Sequence, residues 1–194
     1  MKKYILIIAI IVLVVVAVVL ALVYYSRTEP ESSSNNKEEE EIIETILYAD
    51  EEWGFEFNYP ADWETKSLFQ REGMATFGID APIEDKSGGP AASFIIVAFR
   101  PGGNIVFNVE MERSIKDLEE TGALISQSQR TIAGFSAIEL VYTDNPENPT
   151  TKQLHYFIDK GDIWYQIIYT AKQEKFNDYL ARAEKMIESF KIAK

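Results

Sequence analysis

The chain has 194 residues, 19 of them basic and 31 acidic, for a formal net charge of −12, with one histidine and no cysteine. Zero cysteines exclude a disulfide framework, a thiol nucleophile, a zinc ribbon, an iron–sulfur cluster and a Cys-linked lipid anchor. A lone histidine excludes multi-His zinc sites, and acidity on this scale argues against nucleic acid as a partner.

Residues Ile5 to Val23 form 19 consecutive positions without a polar side chain. As a helix they span roughly 28 Å, close to the ~30 Å of a bilayer's hydrocarbon. Tyr4 stands before the run and Tyr24 and Tyr25 after it, where amphipathic rings favour the headgroup layer. Lys2 and Lys3 precede it, so the amino-terminal end is the cytoplasmic one. The expected organisation is a short cytoplasmic end (1–4), a transmembrane signal-anchor helix (5–25), an acidic disordered linker (26–41) and an extracytoplasmic domain (42–194). A cleaved signal peptide is the competing reading, with Val19-Leu20-Ala21 as its cleavage site. The run exceeds the ~7–15 residues of an ordinary h-region, and bulky Val23-Tyr24-Tyr25 follow it. The linker holds no apolar residue to bury, so nothing offsets the entropy of ordering it.

From Ile42 onward, β-branched and aromatic runs are punctuated by Gly, Pro, Asn and Asp. Strands are expected at Thr45–Ala49, Trp53–Tyr59, Trp63–Phe69, Ala75–Asp80, Ser93–Arg100, Leu124–Ile132, Phe135–Thr143, Lys152–Asp159 and Asp162–Thr170. Lys160-Gly161 reads as a two-residue hairpin turn between the last two. Ser93–Arg100 is apolar on both faces, with Phe94, Ile96 and Ala98 opposite Ile95, Val97 and Phe99. It is therefore expected at the centre of a sheet, covered on both sides. Helices supply that cover. One runs from a cap at Asn108 to about Thr121, with Met111, Ile115 and Leu118 on one face and Gly122 as its stop. The other, Gln173–Phe190, carries a single stripe of Phe176, Tyr179, Leu180, Ala183, Ile187 and Phe190. The fold class is α+β: an antiparallel sheet sandwiched by α-helices, behind an N-terminal transmembrane helix.

Chemistry-bearing motifs are sparse. His155 sits in the strand Leu154–Ile158 without announced triad or metal partners, and reads as a structural histidine. Ser136 opens a strand and lacks the second glycine of a nucleophile elbow. Gly88-Gly89-Pro90 and Gly102-Gly103-Asn104 lack the Lys-Ser/Thr of a phosphate loop. Asp144-Asn145-Pro146-Glu147-Asn148-Pro149 packs oxygen ligands of the kind calcium takes, which makes Asp144, Asn145 and Glu147 weak metal candidates. Its spacing is not that of an EF-hand, and Asn and Pro are ordinary turn formers. The acidic loop Asp80–Lys86 has no second carboxylate that sequence alone can pair with it. No cofactor and no catalytic residue is indicated.

Four segments together resemble the PsbP-like family, named for the extrinsic PsbP protein of photosystem II. Gly54-Phe55-Glu56-Phe57-Asn58-Tyr59-Pro60-Ala61-Asp62-Trp63 is similar to its opening "GFxFxYPxxW". Arg130–Glu139 resembles its "I-x-G-x-x-A" hairpin, Tyr156–Tyr169 its next hairpin, and Ile187-Glu188-Ser189-Phe190 its terminal "I-x-S-F". The resemblance implies an α/β/α sandwich over residues 42–194 and a non-enzymatic binding or assembly protein at a membrane, outside the cytoplasm. It does not carry over a photosynthetic role, because the multi-His positions of the photosynthetic members are missing here. The leading expectation is a tethered module that binds another membrane or envelope protein. The alternative is an extracytoplasmic hydrolase using carboxylates or His155.

Overall fold

The computed structural model describes residues 44–84 and 89–193. The apolar run, the acidic linker and Gly88 lie outside the described residues. Among those described, no helix is long and apolar enough to cross a membrane.

Among the described residues there are ten strands and two α-helices: β1 (Thr45–Asp50), β2 (Phe55–Pro60), β3 (Glu64–Arg71), β4 (Met74–Asp80), β5 (Ala92–Phe99), α1 (Phe107–Glu120), β6 (Leu124–Ile132), β7 (Phe135–Thr143), β8 (Thr151–Asp159), β9 (Trp164–Lys172), α2 (Phe176–Ser189) and β10 (Lys191–Ile192). The strands form two sheets rather than the one expected. Seven lie in the order β3-β4-β5-β9-β8-β7-β6, and three in the order β1-β2-β10. All the strand pairs are antiparallel.

Strand parity sorts the side chains of the large sheet into two faces. Register places Phe94 opposite Tyr169, Ile96 opposite Ile167 and Ala98 opposite Tyr165. Together with Phe77, Tyr156 and Ile158 these form a dry face. Its cover is not helical alone. The small sheet contributes Phe55, Phe57 and Tyr59 from the inward positions of β2, and α2 contributes Phe176, Ala183, Met186 and Ile187. Phe57 meets Phe77 edge-on at 5.5 Å, and Phe55 stacks on Phe190 at 5.7 Å. Ser189 ties the two covering elements together, its Oγ accepting from the Asn58 N–H at 2.9 Å and donating to the Met186 carbonyl at 2.8 Å. The helical stripe read from periodicity is thus the buried one, with Met186 added to it.

On the opposite face, α1 covers β6 to β8 through Met111, Leu140 and Phe157, with Ile115 and Leu118 packed beside them. This corrects the expectation for β5: it is central, but Ile95, Val97 and Phe99 are only half-buried. Fourteen residues of helix cannot roof seven strands about 4.8 Å apart.

Local signals also need correction. Asn108 is not a cap; Val106 precedes the helix without a side-chain cap bond. Gly122 does end it, at φ 71°, with its own N–H donating to the Glu119 carbonyl and the Ala123 N–H to the Leu118 carbonyl, a Schellman motif. Lys160-Gly161 is not a two-residue turn. Asp159 pairs with Trp164, leaving a four-residue connection closed by Lys160 N–H to the Ile163 carbonyl at 3.0 Å. Burial of Ile163 draws that position out of the turn and into the core. Two-residue connections stand instead at Glu72-Gly73, between the paired Arg71 and Met74, and at Ala133-Gly134, where both residues have positive φ, 52° and 85°, matching the twist of the flanking strands.

Candidate functional site

The half-covered face leaves apolar surface open near the start of α1. The loop Pro101–Asn104 turns the chain off β5, with Gly103 at φ 68°, and delivers Ile105 and Val106 to the start of α1. Phe107 then packs edge-on against Trp164 at 5.0 Å, and Trp164 against Phe99 at 5.5 Å. The start of α1 is thereby pinned to β9 by Phe107, while its neighbours face solvent. Ile105 is 49% exposed, Val106 56% and Val109 58%. Beside them opens a cavity of about 460 Å³, lined by Phe99, Phe107, Met111, Phe157, Trp164 and Gln166, with Ile105, Glu110 and Arg113 also on its wall. That volume is within the roughly 300–1,000 Å³ of ordinary ligand pockets. An apolar lining with a few polar groups binds by excluding water.

His155 lies on the same face, stacked on Phe157 at 3.8 Å. Tyr142 Oη is 3.1 Å from its Nδ1 and donates to Gln153 Oε1 at 3.0 Å. With that hydroxyl's proton committed to Gln153, Nδ1 carries the ring proton and Tyr142 accepts it, so Nε2 is the bare nitrogen. No partner meets hydrogen-bond geometry at Nε2. Burial pulls the imidazole from its ordinary 6.5 to about 3, a side-chain interaction with Gln166 working the other way. A histidine held neutral this firmly is a poor proton carrier near neutral pH.

The calcium-like loop is organised from within. Asp144 Oδ1 accepts from the N–H groups of Asn145, Thr150 and Thr151, each at 3.0 Å, and Oδ2 accepts from the Thr150 hydroxyl. The Thr150 hydroxyl bond, followed by the backbone donors, holds the Asp144 carboxyl well below the usual carboxylate range. Asn145 Oδ1 accepts from the Glu147 N–H at 3.0 Å. The Asp144 carboxylate and Asn145 Oδ1 are thus engaged in turn geometry. Among the described residues no group of three or more His, Asp or Glu side chains is placed to hold a metal ion. Ser136 is exposed on the rim of the β6–β7 hairpin.

In the Asp80–Lys86 loop, whose Asp85 and Lys86 lie outside the described residues, tertiary structure supplies partners for Glu84 that sequence left open. Glu84 accepts from the Tyr179 hydroxyl and pairs with Lys175 at 2.9 Å. Asp62 pairs with Arg182 at 2.9 Å, and a cavity of about 350 Å³ lies among Asp62, Pro82, Glu84, Asp178, Tyr179 and Arg182. Tyr179 first, then Lys175, lowers the Glu84 pKa. Glu84 is therefore held ionised, and each of the two acids is paired with a base and not with the other, the opposite of a proton-sharing dyad. The Ile105–Val109 patch was missed from sequence. Its one signal was apolar residues at positions that a helix starting at Asn108 places outside or off its buried stripe.

No curated protein matches the sequence. The solution structure of cyanobacterial PsbP (CyanoP) from Synechocystis superposes with a TM-score of 0.55 at 14% identity, covering 78% of this chain and 94% of that one. The crystal structure of LpqN, involved in cell envelope biogenesis of Mycobacterium tuberculosis, gives 0.52 at 17% identity, over 79% and 92%. At such identities the likeness is one of fold. A family profile described as PsbP-like protein matches residues 4–192. Match over nearly the whole length, with the buried Phe55, Phe57, Tyr59 and Trp63 of the opening motif and the Ser189 clasp of the closing one, places this chain in the PsbP-like protein family.

Proposed function

We propose that this protein is a membrane-tethered, extracytoplasmic binding and assembly module without a catalytic site, and that it engages another membrane or envelope protein through the open end of α1. The observation that carries this reading is the apolar surface at Ile105, Val106 and Val109 beside an apolar cavity. Exposed aliphatic residues gathered at one place on a small acidic domain are costly unless a partner covers them. An inserted apolar side chain from that partner would meet Phe107, Met111 and Trp164. The tether supports the reading from sequence, since the Ile5–Val23 run and a short polar linker hold the domain beside a bilayer.

A photo-cross-linking side chain at Val109 in living cells tests the docking face. One discrete protein adduct is expected there, and none from the same group at Ser136. Equal labelling at both positions, or none at Val109, overturns the docking face. External protease on intact cells should digest the domain; protection would overturn the orientation while leaving the docking result standing.

A further inference from the structure

The four edge strands of the two described sheets are treated differently by the sequence, and β10 has only 2 residues. β1 is short, with 6 residues. β3 is guarded by Glu64, Lys66 and Arg71, and by a bulge at Thr65/Ser67 in the middle of its charged half. β6 has 9 residues, is exposed from Ile125 to Thr131, and carries one charge, Arg130. Its single irregularity, at Leu124/Ser126, sits at the very start. Among the described residues it hydrogen-bonds only to β7, and none of them pairs with the backbone donors and acceptors on its other side. Natural edges of this length are blunted by lysines, prolines or central bulges, and β6 has none of these.

We propose that β6 pairs with β6 of a second copy of this chain, antiparallel and centred on Ser128, joining two seven-stranded sheets across a twofold axis. Self-pairing needs a strand compatible with its own reverse, and this one reads almost as its own mirror about Ser128. Gln127 falls opposite Gln129 of the second copy, Ser126 opposite Arg130, Ile125 opposite Thr131 and Ser128 opposite itself. Each Gln amide brings a donor and an acceptor to a facing amide, and no like charges meet. Charge also selects a second copy over other edges for this contact. In a chain of net charge −12, two copies repel over most of their surface, whereas the 18 residues from Thr121 to Ile138 contain no Asp or Glu. Arg130 is already drawn back onto the sheet by Glu139 at 2.9 Å, which leaves the edge close to neutral. The contact is isologous and closes on itself, so it stops at two copies.

The absence of cysteine makes the test clean. Directly opposed residues of an antiparallel pair have Cα atoms about 4.5–5.5 Å apart, within the ~4.4–6.8 Å a disulfide spans. In the full chain, in membranes, Ser128→Cys should oxidise to a disulfide dimer on the order of tenfold more completely than Ser136→Cys, which reports random collision. Gln127→Lys together with Gln129→Lys sets lysines face to face and should bring Ser128→Cys cross-linking down to the Ser136→Cys level. Gln127→Glu together with Gln129→Lys sets opposite charges face to face in both copies and should restore it. Ser128→Cys dimer no greater than the control, or dimer indifferent to the charge pattern, overturns the proposal. Capture of a different protein at Ser128→Cys overturns it too, in favour of strand addition by a partner.

Discussion

His155→Gln isolates a single buried titration. The imidazole is 6% exposed, its pKa lies at about 3, and an unfolded chain returns it to its ordinary 6.5. The unfolded state therefore binds a proton that the folded state refuses. Stability is at its full value above pH 6.5 and falls as the pH drops from there toward 3. At pH 5 the unfolded chain lies 1.5 units below its histidine pKa, while folded His155 is still neutral. At ~1.36 kcal/mol per unit, the wild type loses about 2 kcal/mol between pH 7.5 and pH 5 on this account alone. Acidic groups titrate alike in wild type and variant, so their contribution cancels in the difference. Urea unfolding of both proteins in neutral detergent, followed by tryptophan fluorescence, reads that difference directly. His155→Gln starts out less stable, because Phe157 loses its stacked ring, but its stability should fall by about 2 kcal/mol less over the same pH range. Parallel pH curves for the two proteins would refute the placement of His155 as a neutral, buried group.

Ile187→Asp buries an unpaired charge beneath α2, where Ile187 is 7% exposed, and should cost about 3–5 kcal/mol, whereas exposed Glu188→Ala should cost less than about 0.5 kcal/mol; similar values in urea melts would show the helix face to be wrong. Calcium should raise the melting temperature no more than sodium chloride of equal ionic strength, because Asp144 already accepts five hydrogen bonds in and beside its loop. A calcium-specific rise abolished by Asp144→Asn and Glu147→Gln would turn that loop into a site.

Much of the architecture was legible in the sequence because hydrophobic periodicity is a local property. The stripe of α2 follows from a period of 3.6, and β6 and β7 emerged with their bounds intact because turn residues bracket alternating runs. The acidic, cysteine-free composition excluded whole classes of chemistry before any fold was considered. Periodicity says which face of an element is apolar, but not what covers it. For that reason β5 read as buried on both sides, although α1 roofs only part of its second face. The split of the strands into two sheets was equally out of reach, since β10 is two residues long and finds β2 across more than 130 positions of chain. Turn geometry misled at Lys160-Gly161 because the pull of Ile163 into the core is a tertiary force. Likewise, only the folded chain brings Glu84 to Lys175 and Tyr179, and leaves His155 between Tyr142 and Phe157. Local sequence sets which side chains seek burial, while long-range packing decides which of them obtain it; Ile105, Val106 and Val109 are among those left in the open.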